Sequence, residues 1–262
     1  MEYYKIIFSA LYEAHRLIKE AKGKPLNRGA FGHITYDVDK LAEEGIIKEL
    51  KKNFKNISIV SEELGYIEDG ELLALIDPID GTTNFLRGIP FYSSTLLLSK
   101  GKFYKDIVAC GIFDHKEENF YFAQRGLGAF KNGEKIKVKG FVPLSEAYLC
   151  FELKTTNELW VSRKGFYELI NKTKYPRFLG SSALETVYVA DGKVDAFIEP
   201  RAHLRSFDCL AALTIVKEAG GFVKVFNLDL ENYPLTGKEK LAYLACSSEE
   251  LGEIILSYLE KR

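Results

Sequence analysis

The stretch that decides the fold reads Asp77-Pro78-Ile79-Asp80-Gly81-Thr82-Thr83-Asn84, and it directly follows the apolar run Leu72-Leu73-Ala74-Leu75-Ile76. The apolar run predicts a buried strand, and Pro78 is expected to end it. Gly81 permits a turn that other residues resist, and the threonines can cap a following helix with free backbone N–H groups. Acidic side chains beside a turn that presents amides suit Mg²⁺ and a phosphate.

A second apolar run also ends in acidic residues. Ile57-Ser58-Ile59-Val60 precedes Ser61-Glu62-Glu63-Leu64-Gly65, and neighbouring strands would bring the two acidic ends together. Clustered carboxylates repel one another and raise their own pKa values unless cations neutralise them. An Asp-Pro-x-Asp-Gly motif alone is a common surface turn. A surface turn does not require a second strand that ends in acidic residues, whereas a metal site requires several carboxylates.

Composition favours a compact enzyme of one or two domains. The chain has 262 residues and is 47% hydrophobic, which is enough for a substantial core. Its net charge of −1 gives no general attraction to nucleic acid or acidic membranes, and no apolar run approaches the length of a membrane span. Glu2 and Glu13 interrupt the apolar face of the first segment, which is unlike a signal peptide. We therefore expect a cytoplasmic protein.

The four cysteines show neither paired spacing nor a zinc pattern. Cys110, Cys150, Cys209 and Cys246 are scattered, and we expect buried free thiols. Gln124 is the only glutamine, whereas lysine and glutamate are plentiful. This bias is typical of thermophile proteins and indicates such a source.

The pattern of elements changes near Pro143. Residues 1–143 begin with two amphipathic helices and continue as an antiparallel-rich α+β part that carries most of the acidic candidates. Residues 144–262 alternate strand and helix as an α/β part that carries Asp208 and ends in a helix Glu249–Lys261. The run 200–207 is expected to be a loop.

The chain resembles the inositol monophosphatase-like phosphatases, which are Mg²⁺-dependent, often lithium-sensitive enzymes that hydrolyse small phosphate monoesters. The matching motifs occur in family order from the first helix to the last residues. They are Glu62-Glu63, the run 77–85, Gly126-Leu127-Gly128-Ala129-Phe130 with Asn132-Gly133, Gly180-Ser181-Ser182-Ala183, Val194-Asp195-Ala196-Phe197, Phe207-Asp208 and Glu218-Ala219-Gly220-Gly221. The resemblance implies a layered α-β-α-β-α sandwich of the sugar phosphatase type.

The resemblance also implies a centre of two or three Mg²⁺ ions. Asp77 would bridge two of them, Glu62 and the carbonyl of Ile79 would complete the first site, and Asp80 and Asp208 the second. Spacing alone favours Asp208 as the N-cap of a helix from Cys209, and the resemblance reverses that judgement. Glu63 is expected to be solvated or to lie outside the direct contacts of the metal.

The catalytic set implied by the resemblance is Thr82, Asp39, Glu62 and Asp77. A metal-activated water would be the nucleophile, Thr82 would orient it, and Asp39 would hydrogen-bond Thr82. Asp37 competes with Asp39, and either acid could instead be only the N-cap of the helix from residue 40. The amides of Gly81 and Thr82, with Asp80, are expected to surround the phosphate.

Substrate hydroxyls would be contacted by Gly180, Ser181, Ser182 and Glu199, again by resemblance. Archaeal relatives of this type hydrolyse both inositol phosphates and fructose 1,6-bisphosphate. A second phosphate needs cations, which Arg201 or Arg205 could supply. The alternative is two surface arginines in a solvated loop.

Three functions follow from these observations. The leading one is Mg²⁺-dependent hydrolysis of inositol 1-phosphate, fructose 1,6-bisphosphate or both. A 3′-phosphoadenosine 5′-phosphate phosphatase would need an adenine pocket that the sequence does not identify. A non-catalytic metal- or phosphate-binding module would have lost a ligand or the threonine, and all those positions are filled. The expected partners are a small sugar or polyol phosphate and a second copy in a homodimer, with no nucleic acid or membrane.

Overall fold

The computed structural model describes residues 2–153 and 161–260. Seven α-helices and a short 3₁₀ helix (Tyr104–Asp106) lie in these ranges. The α-helices are α1 (Glu2–Ile18), α2 (Asp37–Asn53), α3 (Thr82–Arg87), α4 (Arg163–Lys172), α5 (Ser182–Ala190), α6 (Ser206–Glu218) and α7 (Glu249–Leu259). None of them is both long and apolar enough to cross a lipid bilayer.

Fifteen β-strands lie in the same ranges, and most are short and rich in buried apolar residues. They are β1 (Pro25–Arg28), β2 (Ile34–Tyr36), β3 (Ser58–Ser61), β4 (Gly65–Ile67), β5 (Leu73–Asp80), β6 (Ser93–Ser99), β7 (Ile107–Asp114), β8 (Asn119–Gln124), β9 (Gly128–Lys131), β10 (Glu134–Ile136), β11 (Tyr148–Phe151), β12 (Tyr175–Arg177), β13 (Ala196–Arg205), β14 (Phe222–Val225) and β15 (Lys240–Cys246).

The strands form two large sheets and one small hairpin. The first sheet has the order β10-β9-β8-β7-β6-β5-β3-β4 and is antiparallel except for the pair β3–β5. The second has the order β12-β11-β13-β15-β14, in which β11 runs parallel to both of its neighbours. Strands β1 and β2 pair only with each other.

Five layers result from the way the helices cover these sheets. One apolar cluster joins α1 and α2 to the first sheet, and a second joins that sheet to α5, α6 and the inner face of the second sheet. A third joins the outer face of the second sheet to α4 and α7. The predicted layered α-β-α-β-α arrangement is confirmed.

Strand β5 does not end at Pro78, which corrects the expectation from the sequence. Asp77 pairs with Thr95 and Asp80 with Ser93, and the register shifts between these two pairs. Proline has no N–H to donate and is tolerated where a ladder is interrupted. The hydroxyl of Ser94 donates to the Pro78 carbonyl. The motif therefore lies inside a bulged strand, and the turn begins only at Gly81.

Residues 200–207 are not a loop either. Strand β13 continues to Arg205 through a register shift between Glu199 and Leu204, and α6 begins at Ser206. The β1–β2 hairpin was not predicted, since its strands are only four and three residues long and β1 is fully exposed. Helix α7 ends at Leu259, and Lys261, which we expected to be helical, lies outside the described residues.

The two large sheets come from opposite sides of residue 143, yet the α5–α6 layer packs against both of them. The division into parts at 143 stays a prediction. Asn84 on α3 joins the two parts, because its amide nitrogen donates to the carbonyls of Phe91 and Leu179, at 2.8 Å each. Asn84 is only 7% exposed.

We expect Asn84→Asp to lower the free energy of unfolding by about 1–3 kcal/mol, because a carboxyl group cannot donate both bonds and leaves buried carbonyls unpaired. Urea denaturation at pH 7 measures the change. Asn53→Asp is the matched control, since Asn53 makes one comparable bond to the Glu49 carbonyl on an exposed helix end. Equal losses in the two variants would contradict the joining role of Asn84.

Candidate metal centre

Three carboxylates from three separate elements meet at one edge of the first sheet. Glu62 follows β3, Asp77 lies on β5, and Asp208 lies in the first turn of α6. Ser61 pairs with Ile76 in the parallel pair β3–β5, so the next residue on each strand is Glu62 and Asp77. Ligand oxygens of the three side chains all lie within 4.8 Å of one another. We call these residues the acidic trio.

Burial and mutual repulsion govern the protonation of the trio. Burial, followed by the charges of Glu62 and Asp80, raises the pKa of Asp77 well above its ordinary value. Burial and then Asp208 do the same to the pKa of Glu62, and burial raises the pKa of Asp208 to about 6. Asp77 Oδ1 is buried and has no hydrogen-bond partner. Hard oxygen donors with an unpartnered buried atom fit a divalent cation such as Mg²⁺.

The backbone fixes the orientation of Asp208. Its Oδ2 accepts a hydrogen bond from the Arg205 amide at 2.6 Å, and Arg205 is the N-cap of α6. Asp208 is therefore the third residue of the helix and not its N-cap, the alternative that spacing alone favoured. A carboxylate in the first turn is stabilised by the helix dipole and the free amides there.

Asp80 stands beside the trio with its own hydrogen-bond partners. Its Oδ2 accepts from the Ser181 hydroxyl and, at 2.8 Å, from the Ala183 amide near the start of α5. Burial raises the pKa of Asp80 to about 7. The run Gly180–Ser182 thus meets the 77–80 strand, with the Ser181 hydroxyl bonded to Asp80. Its contact with substrate hydroxyls stays a prediction.

Thr82 lies between a carboxylate and a backbone carbonyl. Its hydroxyl oxygen is 3.1 Å from Asp39 Oδ1 and 3.0 Å from the Ile79 carbonyl oxygen. One hydroxyl proton cannot serve both acceptors at once. Burial raises the pKa of Asp39 to about 7, so a large share of Asp39 is ionised near neutral pH and can accept the hydrogen bond from Thr82.

The structure separates the roles of Asp37 and Asp39. Asp37 accepts from the amides of Lys22 and Lys24 at 2.9 Å each and so anchors the chain before β1. Asp39 is the third residue of α2 and accepts from the Tyr36 amide at 2.8 Å. Neither acid is the N-cap, which is Tyr36. Of the two, it is Asp39 that contacts Thr82.

Gly81 occupies a position that no other residue fits well. Its φ is +93°, and a Cβ atom built there would lie 3.1 Å from the Phe91 carbonyl and 3.2 Å from Ser181. The left-handed conformation and the close approach both select glycine. The backbone at Gly81 and Thr82 is thereby held against the start of α5.

Sequence reasoning missed His33 and Thr35. His33 Nε2 lies 3.2 Å from both Glu62 Oε1 and Glu63 Oε1, and the Thr35 hydroxyl donates to Glu63. The β1–β2 hairpin and its turn therefore contact one trio carboxylate, Glu62, through His33. Glu63 is 6% exposed at its side chain, so it is not a solvated carboxylate. The only signal in the sequence was a polar, glycine-containing run before a helix.

Glu199 and Arg201 form a buried ion pair within β13. The guanidinium donates to both oxygens of Glu199, at 3.1 and 2.8 Å, and to Glu152 at 3.2 Å. Glu199 is fully buried and Arg201 is 3% exposed. A solvated surface arginine, the alternative left open by the sequence, is therefore wrong for Arg201. Its Nη1 is buried without a hydrogen-bond partner.

Arg205 differs from Arg201 in its surroundings. Its guanidinium lies over the rings of Phe31 and Phe207, at 5.1 and 5.9 Å from their centroids. Within residues 2–153 and 161–260 it forms no ion pair. Its positive charge nevertheless offsets part of the rise that burial causes in the pKa values of Glu62 and Asp208. Arg205 is thus a partly buried cation next to the trio.

Comparison with known proteins agrees with this geometry. The model of the inositol monophosphatase family matches residues 1–262. A fructose-1,6-bisphosphatase/inositol-1-monophosphatase of Methanocaldococcus jannaschii is 35% identical over 87% of this chain and 86% of its own length. The Nus factor SuhB of Xylella fastidiosa is 35% identical over 71% of this chain and 67% of its own. A solved inositol monophosphatase-fructose 1,6-bisphosphatase superposes with a TM-score of 0.85 at 31% identity, covering 99% of this chain and 100% of that one.

We expect the metal-free protein to lose stability as pH rises from about 5 to about 8. Between their unfolded and folded pKa values, acids with raised pKa values bind more protons in the folded state than in the unfolded one, so the free energy of unfolding falls there. The ordinary value of 3.8 and the folded values of about 7 for Asp39 and Asp80 place the fall in this window. Calorimetric Tm values in EDTA measure it, and Mg²⁺ should flatten the dependence.

Asp77→Asn should raise the Tm of the metal-free protein at pH 8.5, because one of the repelling charges is gone, and should abolish the further rise on adding Mg²⁺. Each unit of raised pKa corresponds to about 1.4 kcal/mol. Asp69→Asn is the matched control at an exposed carboxylate. A trio without metal affinity would give the same Mg²⁺ response in both variants.

Proposed function

Since the chain belongs to the inositol monophosphatase family, whose members are phosphatases, we propose that it hydrolyses small sugar or polyol phosphates with Mg²⁺. Inositol 1-phosphate and fructose 1,6-bisphosphate are the substrates we infer, because the names of the archaeal relatives combine both activities. The acidic trio is the observation that carries the proposal, since three crowded, mutually repelling carboxylates, of which Asp77 is buried and the other two partly buried, favour a bound cation.

The residues proposed to hold Mg²⁺ are Glu62, Asp77, Asp80, Asp208 and the carbonyl of Ile79. When bound, Mg²⁺ neutralises charge on a phosphate ester and makes a water molecule more acidic. The unpartnered Oδ1 of Asp77 supports its central place in this set.

Thr82 and Asp39 are proposed to orient the attacking water and to accept its proton. The Thr82 hydroxyl is within hydrogen-bond distance of Asp39, and the pKa of Asp39, about 7, suits proton acceptance near neutral pH. Glu62 and Asp77 would act on this water through the cation that they would hold. The hydrogen bond from Tyr36 keeps Asp39 directed at Thr82.

The phosphate is proposed to rest on the amides of Gly81 and Thr82. The left-handed conformation of Gly81 turns the chain there, and the first amides of α3 lack intrahelical partners. Asp80 and the run Gly180–Ser182 would form the adjoining wall. Glu199 is fully buried and bonded to Arg201, so we do not place it against the hydroxyls of the sugar or polyol.

For a second phosphate we propose Arg205 before Arg201. Two glutamates already neutralise Arg201, and only its Nη1 is left without a partner and able to donate to a phosphate. Arg205 forms no ion pair within the described ranges and lies over two aromatic rings that hold its guanidinium in place. A cytoplasmic location, a thermophilic source and a homodimer stay predictions from the sequence.

The first test is phosphate release from inositol 1-phosphate, fructose 1,6-bisphosphate and 3′-phosphoadenosine 5′-phosphate, with Mg²⁺ or EDTA, at moderate and high temperature. We expect Mg²⁺-dependent release from the first two. Asp77→Asn should lower kcat/KM about 10³-fold or more, because several kcal/mol of charge stabilisation is lost, whereas Asp69→Asn should be near normal. Release from the nucleotide alone would contradict the proposed substrates, and an active Asp77→Asn variant would contradict the site.

Arg205→Gln should raise the KM for fructose 1,6-bisphosphate about 10-fold or more and change that for inositol 1-phosphate much less. A charge-assisted hydrogen bond contributes about 1.5–3 kcal/mol, and each 1.4 kcal/mol is about tenfold. If the substitution also disturbs Asp208, both KM values change together, and this change cancels in their ratio. Arg205→Lys, which keeps the charge, is the matched control. An unchanged ratio in Arg205→Gln would remove Arg205 from the second-phosphate site.

A further inference from the structure

A cavity of about 490 Å³ lies away from the trio, among the first residues of β3 and β5, strand β4, the turn after β6 and residues 235–238. Its floor is apolar and consists of Val60, Leu73 and Leu235, which are 1%, 7% and 2% exposed. The ring of Tyr66 lines one side. A cavity of this size admits a small organic molecule and is too small for a protein segment.

Three lysines stand at the mouth of this cavity. Lys100, Lys102 and Lys238 line it and are exposed, and none forms an ion pair within residues 2–153 and 161–260. Glu68 and Glu71 also line it without ion pairs in those ranges, so the rim has a net charge of +1. Free ammonium groups are point-charge donors that suit a phosphate-type anion, and the floor suits an apolar body.

The cavity and the trio share no residue, although both lie along β3 and β5. Leu73 begins β5 and Asp77 lies four residues later, which at about 3.3 Å per residue is roughly 13 Å along the strand. On β3 the separation is shorter, because Val60 lines the cavity and Glu62 lies two residues beyond it, roughly 7 Å along the strand. A molecule in the cavity is therefore a neighbour of the trio and is not held by its carboxylates.

Residues 235–238 connect the cavity to the trio. Leu235, Thr236 and Lys238 line the cavity. Between them, Gly237 packs so closely on the other side that a Cβ atom built there would lie 2.8 Å from the Phe207 ring and 2.9 Å from the Phe31 ring. Phe207 directly precedes Asp208. A shift of this segment on ligand binding would press on the residue beside a trio carboxylate.

We propose that this cavity is an effector site for a small organic phosphate with an apolar or aromatic body, and that its occupation alters turnover at the trio. The binding claim stands on the cavity alone, whereas the effect on turnover rests on the proposed phosphatase function.

Binding is tested with 8-anilinonaphthalene-1-sulfonate, whose fluorescence rises in an apolar site, in EDTA so that no cation holds anions at the trio. We expect the Kd to rise about 10-fold or more in Lys100→Gln/Lys238→Gln and to stay unchanged in Lys224→Gln, an exposed lysine outside the cavity. Phenylphosphonate should displace the probe, whereas equal concentrations of inorganic phosphate or benzyl alcohol, which each lack one half of the proposed ligand, should not.

Equal affinity in the double variant and in Lys224→Gln, or displacement by benzyl alcohol as good as by phenylphosphonate, would overturn the anion site. Turnover of inositol 1-phosphate with Mg²⁺ and saturating probe should change at least about twofold in the natural protein and not in the double variant, whose basal rate should be normal. Unchanged turnover in a phosphate-releasing enzyme would overturn the effector role.

The Asp77→Asn variant separates the two proposals, because it should keep probe binding while losing turnover. If the natural protein releases no phosphate, the proposed function fails, and the binding comparison still decides whether the cavity takes an anion.

Discussion

The repulsion among Glu62, Asp77 and Asp208 is the constraint on which the rest of the site depends. These side chains would separate in a flexible chain, and here three rigid elements oppose that separation. The parallel pairing of β3 with β5 fixes Glu62 next to Asp77, and α6 is packed between two sheets. The packing of the apolar layers thus keeps the three carboxylates close together in spite of their repulsion.

Helix starts offset part of this repulsion. Asp39 and Asp208 are each the third residue of a helix and accept a hydrogen bond from the amide of the N-cap residue. Asp80 accepts from the Ala183 amide near the start of α5. The starts of α2, α5 and α6 therefore converge on one region, and each contributes partial positive charge to a carboxylate. The five-layer arrangement positions these three helices around the edge of one strand pair.

The acidic ends of β3 and β5 could be predicted because an apolar run followed by carboxylates is a local pattern. The choice between Asp37 and Asp39 could not, since both lie in the first turn of α2 and only tertiary contacts separate them. Pro78 indicated a strand end and the run from Pro200 a loop, yet each proline lies at an irregularity inside a strand. Continuing β13 past Pro200 would have placed Glu199 and Arg201 on one face, two residues apart, and so predicted their ion pair. No other feature of the sequence predicts that this arginine is buried.

The hydrogen bonds from Ala183 and Arg205 have a consequence for ion selectivity. They are formed by the backbone itself, so the carboxylates of Asp80 and Asp208 are held in place before any cation arrives. Calcium requires longer bonds and more oxygen ligands than magnesium, and it is accommodated by sites that can expand. A cage fastened to the starts of two helices cannot expand readily. We therefore expect this fold to discriminate between the two ions by its stiffness, although both prefer the same carboxylate oxygens.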